Sequence, residues 1–290
     1  MPQEYAYLLL VVIPILATIK VLIQGMASKK GVNQLKDVLV FTGIMFLAIS
    51  IFVTIVFFKY KPSLETIIFA VIAGILNVVF QVCYIQAFSI GPVSISGTIA
   101  NFAMVLPLLY GFIWLNEAVT VFKVVGILFT CVAFILLTKK ESGKTVSLKW
   151  YIYIFTAFFS VGIVSIVQSS FKTLESSYQR NEFLAINYLV AAISCFVLAY
   201  IVKKDKKENN VKWTYKYLFP VILGVVLGIY QVISMYTLSI VDVSIYYPIT
   251  SALALIFLFV VGVLVFKDKP TKSQIIGILI GIISVILVNL

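Results

Sequence analysis

The sequence predicts an all-α integral membrane protein in which ten transmembrane helices form two inverted five-helix repeats. Three observations predict this fold class. First, 62% of the 290 residues are hydrophobic and 11% are charged, whereas soluble domains average about 45–50% apolar and about 25% charged residues. Second, the apolar residues fall into ten runs, each about as long as one membrane span. Third, the second half of the chain repeats the first.

The ten predicted spans are separated by short polar or charged segments. Each is close to the roughly 20 residues that a helix needs to cross the hydrocarbon core. Almost no loop separates the third span from the fourth, or the eighth from the ninth. The polar linker Lys139–Lys149 joins the halves, which we assign to residues 1–142 and 143–290. In chain order the spans are Tyr5–Gly25, Val38–Phe58, Ile67–Ile90, Pro92–Leu115, Val121–Thr138, Trp150–Ser170, Phe183–Val202, Tyr217–Ile240, Val243–Phe266 and Gln274–Leu290.

The internal repeat is clearest between the segments Phe69–Ile95 and Phe219–Ile245. At a constant offset of 150 residues, 11 of 27 positions are identical. Chance similarity between apolar segments would explain matching Val and Ile residues but not paired polar residues and glycines. Because each copy holds an odd number of spans, the two copies insert in opposite orientations, as in many secondary transporters. The informative pairs are Gly74/Gly224, Gln81/Gln231, Ser89/Ser239 and Ser94/Ser244.

The positive charges predict how the chain is oriented. Loops after the odd-numbered spans hold sixteen lysines, whereas loops after the even-numbered spans hold four lysines and one arginine. The positive-inside rule therefore places the odd loops in the cytoplasm and both termini on the extracytoplasmic side of the cytoplasmic membrane. Because the lysines form short clusters between spans, the net charge of +11 does not indicate nucleic-acid binding.

The distribution of reactive residues argues against an enzyme. The chain has no histidine, and all eleven acidic residues lie in loops or near span ends. Paired acids or a metal cluster for acid–base or hydrolytic chemistry are therefore missing from the predicted membrane interior. The three cysteines fall inside apolar segments without metal-ligand spacing, so we expect neither a metal nor another cofactor.

Lys20 is the one charged residue within a predicted span. It could face a central cavity and attract a carboxylate or phosphate of a solute. It could equally extend its stem to the membrane surface, because the predicted span ends only about five residues, or 7–8 Å of helix, away. The repeat has Val164 at the corresponding position, and both interpretations stay open.

Uncharged polar residues recur on the helices beside the two short links. Asn77, Gln81 and Tyr84 are spaced by four and three residues, so they share one face of the third helix. Polar groups are costly in lipid, so such faces should turn toward the protein interior or a wet cavity. Hydrogen bonding between helices is the alternative for each residue. The predicted cavity residues are Lys20, Asn77, Gln81, Tyr84, Asn101, Gln168, Tyr230, Gln231, Tyr246 and Tyr247.

Short motifs recur at corresponding places in the two halves. The first half contains Ser94-Ile-Ser-Gly-Thr, Pro107, Leu115-Asn116-Glu117 and Val125-Gly126-Ile127-Leu128. The second half contains Val243-Ser244-Ile245, Phe266-Lys267-Asp268 and Ile276-Gly277-Ile278-Leu279. In this pattern the whole chain resembles the drug/metabolite transporter superfamily, in its ten-helix EamA-like branch. Two departures are Asp268 in place of the usual glutamate and Phe257 in place of Pro107.

The resemblance implies a cavity built by spans 1, 3, 4, 6, 8 and 9, with spans 5 and 10 packing the halves together. It also implies that a solute moves by alternating access and that Glu117 has a structural role. Family substrates include amino acids, sugars, nucleosides, amines and drugs. We predict export of a small neutral, zwitterionic or aromatic metabolite such as an amino acid, with a proton as a candidate coupling ion. Import, a receptor or scaffold role, and a membrane enzyme are the alternatives. The sequence does not indicate an oligomeric state.

Overall fold

A computed structural model describes residues 3–117, 119–138, 147–202, 212–267 and 271–288. These residues contain helices and no strand, as predicted. A single turn of 3₁₀-helix, Phe102–Met104, joins α4 to α5. Asp268 and most of the linker Lys139–Lys149 lie outside the described residues. The helices are α1 (Gln3–Lys29), α2 (Leu35–Phe57), α3 (Leu64–Ile90), α4 (Val93–Asn101), α5 (Val105–Trp114), α6 (Val121–Thr138), α7 (Leu148–Phe171), α8 (Arg180–Ile201), α9 (Phe219–Ile240), α10 (Val243–Leu264) and α11 (Lys272–Val288).

Eight helical segments of the described chain are long and apolar enough to cross a membrane. They correspond to the predicted spans one to four and six to nine. The fifth and tenth predicted spans lie in shorter apolar segments, Val121–Ala133 of α6 and Lys272–Ser284 of α11. The whole helices α6 and α11 have 18 and 17 residues, close to the lower limit of about 17 residues for a transmembrane helix.

The fourth span is broken, whereas its counterpart in the second half is continuous. Pro107 has no backbone N–H, and its ring crowds the carbonyl group four residues earlier, at Ala103. This carbonyl lies in the 3₁₀ turn between α4 and α5. In the second half Phe257 takes the place of Pro107, and α10 runs unbroken from Val243 to Leu264. The two halves therefore differ in backbone structure beside Asn101, the last residue of α4.

The halves interdigitate instead of forming two separate bundles. Helices α2 and α8 pack together, as do α3 with α7 and α8, α1 with α9 and α10, and α6 with α11. The paired glycines of the repeat allow the approach of α3 to α8 and a further approach of α9 to α2. A methyl group at Gly74 would lie 2.7 Å from the Asn187 carbonyl oxygen in α8, and one at Gly224 would lie 2.6 Å from the Met45 carbonyl oxygen in α2. A glycine at each of these two positions therefore permits close packing across the halves.

Serine hydroxyl groups also connect the halves. Ser50 in α2 donates a hydrogen bond to the Ala185 carbonyl oxygen in α8, at 2.8 Å. Ser284 in α11 donates to the Gly126 carbonyl oxygen in α6, at 2.6 Å. Such bonds satisfy hydroxyl groups that the bilayer cannot solvate, and they fix neighbouring helices in register.

Two lysines hold the short links that connect α3 to α4 and α9 to α10. The Lys29 ammonium donates to the Gly91 carbonyl oxygen at 3.1 Å, and the Lys172 ammonium donates to the Val241 carbonyl oxygen at 2.8 Å. Gly91 and Val241 correspond at the repeat offset of 150. Burial lowers the pKa of Lys172, which follows the end of α7, and the Asp242 carboxylate opposes this shift. Each repeat thus anchors its link with a cation at a helix C-terminus, where the helix dipole favours positive charge.

Glu117 caps the start of α10. Its carboxylate accepts hydrogen bonds from the backbone N–H groups of Val243 and Ser244, at 3.0 and 2.9 Å. The first N–H groups of a helix have no partner within the helix, and the helix dipole favours a negative charge beside them. Glu117 therefore joins the end of the fourth span in the first half to the ninth span in the second.

We expect Glu117→Ala to lower the free energy of unfolding by about 1–3 kcal/mol, because two helix N–H groups lose a charged acceptor. Thermal unfolding of the purified protein in detergent measures this change. Glu175→Ala is the matched control, since Glu175 is exposed and its removal should change stability by less than about 0.5 kcal/mol. Equal losses in both variants would contradict the capping role.

Candidate functional site

A cavity of about 170 Å³ lies between the two halves of the protein. Residues of eight helices line it, four from the first half (α1 to α4) and four from the second (α7 to α10). The resemblance implied six of these helices, and the structure adds α2 and α8. The two halves contribute corresponding helices, so the cavity lies where the repeats meet.

All ten side chains predicted from the sequence line this one cavity. They lie up to 227 positions apart in the chain, and the interdigitated packing of the halves brings them together. An adjoining cavity of about 130 Å³ shares eight of the lining residues of the first, and it extends along α1 to Ile13 and along α10 to Ala254. The two cavities adjoin, and polar side chains and tyrosines line the first alongside apolar ones.

Gln81 stands out among the lining residues because its amide has no partner. Its side chain is 1% exposed, and neither its amide nitrogen nor its amide oxygen has a hydrogen-bond partner in the described chain. A buried polar group without a partner costs about 1–3 kcal/mol. Gln81 therefore brings to the cavity wall a buried amide whose donor and acceptor no described residue satisfies. Its repeat counterpart Gln231 is half-buried and lines the same cavity.

Five tyrosines form much of the remaining wall. The rings of Tyr246 and Tyr247 lie edge to face with centroids 5.0 Å apart. The Tyr246 hydroxyl hydrogen-bonds with the Ser234 hydroxyl, and the Tyr247 hydroxyl donates to the Ser165 carbonyl oxygen at 3.1 Å. These protein contacts hold the two rings in place, so they offer a rigid aromatic surface to a solute. The full set is Tyr84, Tyr188, Tyr230, Tyr246 and Tyr247.

Lys20 lies in the middle of its span and lines the cavity. The apolar segment of α1 runs from Leu8 to Lys29, four residues beyond the end predicted from the sequence. Lys20 is therefore nine residues, or about 13–14 Å of helix rise, from the end of the helix, which is further than its four-carbon stem extends. Its ammonium lies 4.9 Å from the centre of the Phe80 ring. Of the two interpretations from the sequence, this position favours the cavity.

Asn77 and Asn101 line the cavity, but their amide nitrogens already have partners. The Asn77 nitrogen donates to the Asn187 side-chain oxygen in α8 at 3.1 Å, and the Asn101 nitrogen donates to the Gly97 carbonyl oxygen at 2.9 Å. Asn77 therefore links the halves, which was the alternative for each polar residue. Gln168 on α7 is half-buried and lines the cavity from the second half of the chain.

Sequence reasoning missed three aromatic residues of the cavity wall, Phe46, Phe80 and Tyr188. Phe46 in α2 and Tyr188 in α8 line the cavity, with ring centroids 5.4 Å apart. The adjacent polar residues Asn187 and Tyr188 within the seventh span were a usable signal for Tyr188. Phe46 had no such signal, because one more phenylalanine in an apolar helix resembles any packing residue.

In a comparison with known protein families, each half of the chain matches the same family model. The model for the "EamA-like transporter family" matches residues 7–139 and again residues 148–290. No curated protein matches the sequence. Twenty-eight chains of solved structures match the fold, among them one described as "Crystal structure of protein", with a TM-score of 0.64 and 14% identity over 96% of this chain and 98% of that chain. At this identity the likeness shows the fold alone.

The hydrogen-bond patterns of Gln81 and Asn77 predict opposite effects on stability. Gln81→Met removes an unpartnered amide, so the solute-free protein should unfold at the same or a higher temperature. Asn77→Leu leaves the Asn187 side-chain oxygen without its hydrogen-bond donor and should lower the free energy of unfolding by about 0.5–2 kcal/mol. Thermal unfolding in detergent measures both, and Asn187→Leu in the Asn77→Leu background should cost little more. A Gln81→Met variant as unstable as Asn77→Leu would show that Gln81 is a packing residue.

Proposed function

The chain belongs to the EamA-like transporter family, and on this premise we propose that it moves a small organic solute across the cytoplasmic membrane by alternating access. The single observation that carries the proposal is the polar cavity to which each repeat contributes four corresponding helices. A scaffold has no need of such a cavity, and its halves could pack without one. Sites at the interface of two repeats are typical of secondary transporters.

We propose ten spans in two inverted repeats. Eight segments meet the length and hydropathy required of a span, and α6 and α11 provide the shorter fifth and tenth. An odd number of spans per repeat places equivalent ends of the two repeats on opposite membrane faces, so the Gly91 and Val241 links lie at opposite ends of the cavity. The excess of lysine in the odd-numbered loops supports cytoplasmic odd loops and extracytoplasmic termini.

The solute that we propose is neutral, zwitterionic or aromatic, such as an amino acid, and we take its direction as export by analogy with the family. Among the described residues that line the two cavities, one is a cation and none is an acid. A strongly cationic solute would therefore meet no opposite charge. The tyrosine rings and glutamine amides suit an aromatic or apolar body with a few polar groups.

The experiment is a search for a ligand of the purified protein, followed by transport. A solute that binds the folded state raises the unfolding temperature, and its movement is then measured in proteoliposomes. We expect Gln81→Ala, Gln231→Ala and Tyr246→Phe each to weaken binding by about tenfold or less, the equivalent of one lost hydrogen bond.

Tyr200→Phe is the matched control for Tyr246→Phe, because Tyr200 is 90% exposed and lies outside the cavity. It should leave binding and transport unchanged. A bound solute whose affinity is unaffected by all three cavity variants would place the binding site elsewhere. If no compound in a broad metabolite panel binds or moves, the proposed function is wrong.

A further inference from the structure

We propose that the transported solute carries a carboxylate and that Lys20 is the cation that binds it. The proposal rests on the proposed function and names the chemistry of its substrate. Lys20 is the only charged side chain among the described residues of the two cavities. Within the part of the chain that the structure describes, no acidic side chain lies within ion-pairing distance of it.

An uncompensated ammonium in the middle of a membrane span is costly. The Phe80 ring, 4.9 Å away, supplies a cation–π contact, but this contact does not neutralise the charge. Water in the cavity can solvate the ammonium while the site is empty. A solute that displaces this water must replace its interactions, and an anionic group on the solute does so directly.

Gln81 completes the recognition of a carboxylate. It follows Phe80 in α3, lines the same cavity as Lys20, and has an amide without a partner in the described residues. A carboxylate has two oxygens and accepts hydrogen bonds at both. The Lys20 ammonium and the Gln81 amide N–H therefore supply a charged donor and a neutral donor to one group.

The single charge selects a carboxylate over a phosphate ester. A phosphate monoester carries a charge of about −1.5 to −2 at pH 7 and has three acceptor oxygens, so one lysine would leave much of its charge uncompensated. Lys29 at the end of α1 and Lys172 just after α7 do not line the cavity. They donate instead to the carbonyl groups of Gly91 and Val241.

The difference between the two repeats predicts how the solute is oriented in the cavity. Val164 in α7 corresponds to Lys20 in α1, and both residues line the cavity. The charge is therefore confined to the wall formed by α1 and α3, whereas Tyr246 and Tyr247 lie on α10. A solute with its carboxylate at Lys20 would extend its apolar or aromatic part toward these tyrosines.

The test compares acids with analogues of similar shape that lack the carboxylate. The decisive pair is 3-phenylpropanoate and its uncharged amide 3-phenylpropanamide. L-phenylalanine and L-leucine are paired with their amides, which keep the amino group, and 2-phenylethylamine is the cationic analogue. Binding is measured by thermal stabilisation, and transport by counterflow in proteoliposomes. The variants are Lys20→Met, Lys20→Arg and the control Lys30→Met, whose lysine is exposed just beyond α1.

We expect the wild-type protein to bind at least one acid about tenfold or more tightly than its amide, because the charged pair is lost with the amide. Lys20→Met should weaken acid binding by about tenfold or more and leave binding of the uncharged 3-phenylpropanamide within about twofold. Lys20→Arg and Lys30→Met should retain acid binding. Lys20→Met should also raise the unfolding temperature of the solute-free protein, since it removes an uncompensated charge, so loss of acid binding is separable from misfolding.

Three outcomes would contradict the carboxylate site, and only one of them would also contradict the proposed transport function. Equal binding of acids and amides, or acid binding that survives Lys20→Met, would overturn the carboxylate site alone. Transport of amides or amines without transport of acids would do the same and leave the proposed function intact. Absence of binding and transport for every compound would overturn the proposed function, and the carboxylate site with it.

Discussion

A polar group inside a bilayer has no bulk water to bond with, and this constraint determines where nearly every polar side chain of the protein lies. Serine hydroxyl groups bond to backbone carbonyls of neighbouring helices, as Ser50 does across the halves. Asn77 bonds to Asn187, and Glu117 bonds to the first N–H groups of α10. Among the residues that line the central cavity, Lys20 and Gln81 are exceptions. Lys20 has no acidic partner and Gln81 has no hydrogen-bond partner in the described chain. We propose that a solute satisfies these two groups.

The duplication builds the cavity, and the differences between the copies give it chemical character. Gly74 and Gly224 allow corresponding close approaches of helices in the two halves, so the repeats pack alike at these positions. The cavity wall, in contrast, is not symmetric. Lysine occurs on one side where valine occurs on the other, and the broken α4–α5 faces an unbroken α10. A symmetric frame suits exchange between two equivalent states, whereas an asymmetric wall lets the site bind one solute in one orientation.

Much of this architecture could be predicted from the sequence, because the bilayer imposes helix length and polarity so strongly. The eight longer helices follow directly from apolar runs, and the spacing of Asn77, Gln81 and Tyr84 indicated a shared face. What could not be predicted depended on contacts between distant residues. Asn77 has a partner because packing brings Asn187, 110 residues further along the chain, next to it. No described residue takes the corresponding place beside the Gln81 amide. The depth of Lys20 was underestimated because the apolar run ends before the helix does. The contribution of α2 and α8 to the wall followed only from packing across the halves.

The central claim is that one cavity opens in turn to the two faces of the membrane. The most direct measurement uses Ala17→Cys, at a residue that lines both cavities, in protein whose Cys83, Cys131 and Cys195 have been replaced. A membrane-impermeant thiol reagent is added to either face of oriented vesicles, with and without a solute that stabilises the protein. The account predicts reaction from both faces, slowed in both cases by the solute. Reaction from neither face, or from one face only, would contradict it.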